Sequence, residues 1–347
     1  MSDSDLGVRH LCRGIVTNPL GLHCNMSTGR APHDESENIN QFLGGLSRAV
    51  ERGATFFDTS DSYDYGHTER VIGKFLRRHP KLPLQLSSKV GQLRGSAEHP
   101  YAGRHIHHQL EQSLENLYAE QLHLYTLDSF DFGPDDRYLG NAIDVMRTLR
   151  EVESIKAIGM RGPSVSCVAS PEEWAAEAER FLYLFRLIKP DVVWTRFNAF
   201  TPAVSIEGDD LFTFTARHGV GLVLAAPLAH GLLTGEASSR AVLSPRHARL
   251  IPPHMKQVDE GLQGLRDHFG DAPGALTQLA LRSSLQRGDQ CVVVVGFNNE
   301  QQVEESYRCL GLPLTPEELG AVDDAYADLR TSFHEAVTRS PTKELQA

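Results

Sequence analysis

Short apolar runs separated by longer amphipathic stretches recur along this chain, and that alternation constrains its fold more than any single motif. Residues 54–58, 84–89, 122–127, 155–159, 192–197, 220–225 and 291–296 read as strands, with a weaker first strand within 11–24. Between them, 38–52, 69–78, 106–117, 139–152, 172–188, 211–218 and 274–286 carry apolar residues at helical spacing. Such alternation arises when parallel strands are joined by crossover helices. The run Cys291-Val-Val-Val-Val295 is apolar without alternation, as expected of a parallel strand covered on both faces. Eight such units either close into a (β/α)8 barrel or stay an open doubly wound sheet. No GxGxxG follows an early strand, which weakens the open-sheet dinucleotide fold. No linker rich in Pro, Gly or Ser divides residues 1–347, so the expectation is one α/β barrel domain with loosely held ends at 1–10 and 330–347.

Charge and cysteine usage narrow the function classes. Lys and Arg total 34 against 45 Asp and Glu, a formal charge of -11 that repels polyanions, and no basic face stands out. The densest basic stretch, 77–81, sits at an expected helix end, where cations favour the dipole. Nucleic acid is therefore not an expected partner. Five cysteines, odd in number and without a CxxC pair, point to a reducing compartment. There is no apolar leader at the start and no run long enough to span a bilayer, so a cytoplasmic protein without a membrane partner is expected.

The most informative segment is Phe56-Phe-Asp58-Thr-Ser-Asp-Ser-Tyr63, which begins as a buried strand and ends in a polar loop. Asp58 falls at the strand's C-terminal end and Tyr63 just beyond, on the face that carries catalysis in a barrel. In Ser87-Ser-Lys89-Val-Gly91 a lysine ends the next strand. Its ammonium is expected to approach the Tyr63 hydroxyl and lower the phenol's pKa, with Asp58 orienting it, so that Tyr63 passes a proton to or from a substrate oxygen. Each residue alone has an ordinary surface reading; their joint placement favours chemistry. His105-Ile-His107-His108 lacks a Cys or carboxylate at ligand spacing, so no metal is expected there. Phe130, Phe132, Trp194 and Phe197 are candidates to shape a pocket, with core packing the simpler role. Loops 91–103, 130–138 and 235–254 are those expected to set specificity.

Together with Lys156-Ala-Ile-Gly159, Pro227-Leu-Ala-His-Gly-Leu-Leu-Thr-Gly235 and Val295-Gly-Phe-Asn-Asn-Glu-Gln-Gln-Val-Glu-Glu305, these motifs resemble the aldo-keto reductase family, nearest to its sugar and aldose dehydrogenase branch. The matches run in family order from about residue 20 to 310. The resemblance implies a hydride exchanged between NADP, or alternatively NAD, and the carbonyl or alcohol of a small sugar-like or natural-product-like substrate, or a conjugated C=C bond. Tyr63 becomes the general acid/base, tuned by Lys89 and Asp58. The family's usual histidine falls on Asp128, a departure. The cofactor's phosphates are implied near Leu228 and Gly231 and at Gly296, Phe297, Asn298 and Asn299, with Gln302 and Glu305 beside the adenine. Asn299 and Ser306 replace a basic residue and an asparagine there. At the nicotinamide, Arg161-Gly162 replaces a Ser-Asn pair, Trp194 a glutamine and His23 a glycine. These changes keep open a non-redox lyase, dehydratase or isomerase in which Tyr63, Lys89, Asp58 and Asp128 move protons only, and a non-catalytic partner protein.

Overall fold

A computed structural model describes residues 6–26, 35–235 and 252–339. The chain opens with an antiparallel hairpin of β1 (Arg9–Cys12) and β2 (Ile15–Thr17). Eight parallel strands then close into a barrel: β3 (Leu20–His23), β4 (Phe56–Asp58), β5 (Gln85–Val90), β6 (Leu122–Leu127), β7 (Ile155–Arg161), β8 (Val192–Arg196), β11 (Gly221–Ala225) and β12 (Cys291–Gly296), with β12 pairing back to β3. The barrel expectation is thereby met over the open sheet. A small hairpin of β9 (Ser205–Ile206) and β10 (Asp209–Asp210) interrupts the series.

Helices α1 (Glu35–Glu51), α2 (His67–Arg78), α3 (Gly103–Leu117), α4 (Leu139–Glu151), α5 (Pro171–Ile188), α6 (Leu211–Arg217), α7 (Pro252–Phe269), α8 (Ala275–Leu285), α9 (Glu300–Tyr307) and α10 (Pro316–Arg339) lie outside the strands. Their apolar faces and the outward strand residues form the main core, which includes Leu46, Ile72, Leu110, Met146, Phe181 and Phe214. Local chemistry sets several ends. Ser170 and Glu173 form a capping box at α5, and Asp210 and Asn299 cap α6 and α9.

A separate cluster fills the barrel's interior: Phe56, Leu124, Ala157, Val192, Trp194, Val223, Ala225, Val292 and Val294. Leu11 and Ile15 of the hairpin join it, so the hairpin plugs the N-terminal end. The plug sits tightly on β11, where a Cβ on Gly221 would fall 1.8 Å from the Leu11 carbonyl oxygen. Because side chains alternate along a strand, the interior positions extend upward to Asp58, Lys89, Asp128, Arg161, Arg196 and Gly296 at the C-terminal mouth.

Two expectations about the ends and loops need correction. The chain from 330 to 339 is not a loose tail but the last turns of α10, because Phe333 buries itself against Phe200 with ring centroids 5.3 Å apart. Residues 9 and 10, within the other expected tail, belong to β1. Of the loop 235–254, residues 236–251 lie outside the described residues, and α7 begins at Pro252. Among the described residues no helix is long and apolar enough to cross a membrane.

Candidate active site

Asp58 is the centre of a saturated network at the barrel mouth. Its Oδ2 accepts from Lys89 Nζ at 2.8 Å, His23 Nδ1 at 3.0 Å and Trp194 Nε1 at 3.1 Å, while Oδ1 accepts from Ser87 Oγ at 2.8 Å. Burial alone would raise this carboxyl; the Lys89 charge and the His23 contact outweigh it and hold the pKa at about 2. Lys89 is fully buried and also donates to the Thr59 carbonyl at 2.5 Å. A buried ammonium so partnered is rigid.

Tyr63 stands in the turn between β4 and α2, which reverses through Asp64, Tyr65 and Gly66, all at positive φ. The Lys89 ammonium lies 5.4 Å from the centroid of its ring, and the His23 ring packs edge-on at 5.3 Å. The phenol hydroxyl has no hydrogen-bond partner among the described residues. The expectation that Lys89 lowers the phenol's pKa is corrected here. Lys89 donates to Asp58 and Thr59, and among the described residues no hydrogen bond joins it to the Tyr63 hydroxyl. Burial, then Asp58 and Asp128, push the Tyr63 pKa well above its ordinary value, and Arg196 opposes them. The phenol is a proton-bearing group at neutral pH.

Asp128, one residue beyond β6, is buried, and its Oδ1 has no hydrogen-bond partner among the described residues. The Arg161 Nη1 approaches that oxygen at 3.8 Å, an ion-pair distance too long for a hydrogen bond. Burial raises the Asp128 carboxyl while Lys89 and Arg161 pull it down; the net direction is upward. Behind Tyr63, burial lifts Asp61 to about 7 although Gln109 Nε2 donates to it at 2.8 Å. Glu69, fully buried at the start of α2, accepts from Ser88 Oγ at 2.7 Å and Asn116 Nδ2 at 3.1 Å, and its carboxyl is also raised, chiefly by burial.

The mouth therefore joins His23, Asp58, Tyr63, Lys89, Asp128, Arg161 and Trp194, all singled out in the sequence, and adds Ser87, Asp61 and Arg196. Arg196 escaped sequence reading although one signal pointed to it: it follows Trp194 by two, the spacing that keeps a strand's side chains on one face. Trp194 and Arg161, expected at the nicotinamide, turn their polar atoms to Asp58 and Asp128. Phe132 stacks on Tyr101 at 4.4 Å and Phe197 packs edge-on against Phe212 at 5.0 Å, so both rings serve packing.

The remaining residues sit on two adjacent loops. After β11, Ala226, Ala229, His230 and Gly231 all have positive φ, and Gly231 N donates to the Leu228 carbonyl at 2.9 Å. After β12, Asn298 N donates to Gln302 Oε1 at 2.8 Å and Gln302 N to Asn299 Oδ1 at 3.0 Å, so these side chains shape the loop itself. Phe297 points away from the mouth, stacked on Phe42 at 4.8 Å and against Gly45, where a Cβ would meet its ring at 2.4 Å. Glu305 lies beside Gly274. Gly296 leaves a clear space: a Cβ added there meets nothing within 4 Å. The clear space at Gly296 and the Gly231 turn beside the capped start of α9 are compatible with a nicotinamide nucleotide.

Comparison with known proteins agrees with this geometry. The model of the aldo/keto reductase family matches residues 23–327. The chain is similar to L-galactose dehydrogenase of Arabidopsis thaliana, 24% identical over 264 residues covering 75% of each chain. It is also similar to an NADH-specific methylglyoxal reductase of Escherichia coli, 20% identical over 302 residues covering 83% of this chain and 85% of that one. Among solved structures, a glycerol dehydrogenase from Gluconobacter oxydans superposes with a TM-score of 0.70 at 19% identity, covering 94% of this chain and 96% of the other. An aldo/keto reductase from Klebsiella pneumoniae in complex with NADP and acetate gives 0.62 at 17%, covering 92% and 95%. With a closed parallel barrel, the Asp58–Lys89 network at its mouth and a family match over most of its length, this chain belongs to the aldo/keto reductase family, whose members are NAD(P)-dependent oxidoreductases.

Proposed function

We propose that this chain reduces the carbonyl group of a small aldehyde or ketone, with NADP(H) or NAD(H) as the redox partner and Tyr63 as the proton donor. One observation carries the reading. A phenol without a hydrogen-bond partner stands over the buried Lys89–Asp58 pair at the open end of the barrel. Burial and the Asp58 carboxylate keep that phenol protonated, which suits it to give a proton to a developing alkoxide.

A nicotinamide cofactor, when bound, would supply the hydride for the substrate carbon. The residues of the chain do the rest. Asp58 and Lys89 hold a fixed charge pair beneath Tyr63, so the ring is positioned without reorganisation during the reaction. Lys89 also balances the charge that appears when Tyr63 gives up its proton. Asp128, in its protonated form, donates from its free carboxyl edge to the substrate oxygen, the part that a histidine plays in the resembled family. Trp194 closes the floor of the site and keeps water from the Asp58 network. The loops carrying Leu228 and Gly231, and Gly296, Asn298 and Asn299, would hold the nucleotide, with Gln302 and Glu305 on the helix that follows. The small carbonyl and sugar substrates in the names of the methylglyoxal reductase and L-galactose dehydrogenase support this substrate size.

Tyr63→Phe tests the assignment. Turnover of NADPH or NADH with small aldehydes should fall by roughly 100-fold or more, while the melting temperature and its rise with bound nucleotide stay unchanged. Undiminished turnover would remove Tyr63 from the mechanism. Absence of any melting shift with either nucleotide would remove the redox reading.

A further inference from the structure

Two guanidinium groups stand at the mouth with little to neutralise them. Arg161 ends β7 and Arg196 ends β8, neighbouring strands paired through Arg161 and Trp194. Ala157 and Trp194 belong to the interior cluster, so Arg161, four residues on, and Arg196, two residues on, face the same mouth. Among the described residues Arg196 has no hydrogen bond and no ion pair, and Arg161 has one acidic neighbour within 4 Å, the Asp128 oxygen at 3.8 Å. Neighbouring like charges are unfavourable, and Arg196, exposed at the end of its strand, gains no packing against the core that would offset the repulsion from Arg161. The protein as a whole carries a charge of -11 and the Lys89 charge is already matched by Asp58, so the two guanidiniums are a local pair of donors for an anion rather than a property of the surface.

Resting on the reading of Tyr63 as proton donor to a carbonyl, we propose that the substrate carries an anionic group, a carboxylate or a phosphate, which Arg196 and Arg161 grip while its carbonyl lies at Tyr63. Local desolvation and the Arg161 charge press the Arg196 pKa down while Tyr63 and Asp128 raise it, which fits a guanidinium close to all three. An incoming oxyanion takes bidentate hydrogen bonds from the planar donors and relieves their repulsion. The position also explains why Arg161 replaces a smaller polar residue without destroying the site: its free edge turns to the substrate, not to the Asp58 network.

Matched pairs decide it. Glyceraldehyde 3-phosphate against glyceraldehyde, and succinic semialdehyde against butanal, compare an anionic aldehyde with a neutral one of similar size, using the full chain with NADPH or NADH. The wild type should favour at least one anionic member by about 10-fold or more in kcat/KM, and the preferred pair identifies phosphate or carboxylate as the group recognised. In Arg196→Gln that within-pair ratio should fall by about 10-fold or more; because the ratio is taken within one variant, general losses cancel. Equal handling of both pairs by the wild type overturns the proposal but leaves Tyr63 as donor. So does an Arg196→Gln effect confined to the KM for nucleotide, which would assign the arginine to the cofactor's own phosphates. If no aldehyde is turned over at all, the proton-donor reading falls, and inorganic phosphate and acetate then probe the pair directly: a melting shift present in wild type and lost in Arg196→Gln keeps an anion site, and no shift with either removes it.

Discussion

Trp194 Nε1 and Asp58 Oδ2 lie 3.1 Å apart across the barrel, though 136 residues separate them in the chain. This contact couples the floor of the mouth to its central carboxylate and places an indole where the Lys89 ammonium also rests, 4.9 Å from the ring. Trp194→Phe keeps a ring but deletes the donor. Hydrogen bonds to charged groups contribute about 1.5–3 kcal/mol, so urea denaturation at pH 7 should show a loss of about 2 kcal/mol. Asp58 has a folded pKa of about 2 against an ordinary 3.8, so its contribution is complete above pH 4 and fades only as pH falls toward 2. The loss in Trp194→Phe should hold steady from pH 7 to 4 and shrink below.

Asp61 has the opposite sign. Its carboxyl is lifted from 3.8 to about 7, so the folded state binds the proton more tightly than the unfolded chain does. Folding is then free of penalty below pH 3.8, and a penalty grows until pH 7 and stays constant above. Three units correspond to about 4 kcal/mol as an upper figure. Asp61→Asn keeps an acceptor for Gln109 and removes the charge; it should stabilise the protein by up to about 4 kcal/mol at pH 8 and by almost nothing at pH 4, measured by urea midpoints.

Asp128 should act through a proton it donates. In Asp128→Asn a donor remains at the same place, and kcat/KM for aldehyde reduction should stay within about 10-fold of wild type; in Asp128→Ala it should drop by roughly 100-fold. Equal losses in the two variants would assign Asp128 to charge rather than to hydrogen-bond donation.

The hairpin plug offers a purely structural test. Gly221→Ala forces a methyl group to 1.8 Å from the Leu11 carbonyl, so the hairpin or β11 must shift, at a cost of about 1–3 kcal/mol. Gly140→Ala in α4 meets nothing within 4 Å and should be stabilising by about 0.5–1 kcal/mol, because alanine restricts the unfolded chain. Thermal denaturation of both variants reads the contrast.

Much of this was legible beforehand because it is local. The apolar run 291–296 coincides with β12, since a strand covered on both faces leaves a continuous signature, and 122–127 with β6, where apolar residues still dominate. The hairpin that plugs the barrel was not legible: Leu11-Cys12 and Ile15-Val16 are short apolar pairs broken by Arg13-Gly14, and only the barrel floor gives Leu11 and Ile15 a reason. The turns of α10 beyond residue 330 were hidden in the same way, because Phe333 is one apolar residue whose partner, Phe200, comes from a loop.

At the site, the sequence by itself determined that Asp58 and Lys89 end neighbouring strands on one rim, because a strand's polarity places them there, whereas Asp128 and Arg161 entered only through the resemblance to the aldo-keto reductases. Tertiary structure alone decided what each atom faces. Lys89 spends its protons on Asp58 and Thr59 instead of on the Tyr63 hydroxyl, so the phenol is driven to hold its proton rather than to lose it. The physical reason is that a pKa follows from distances and burial among groups far apart in the chain, and a sequence carries neither.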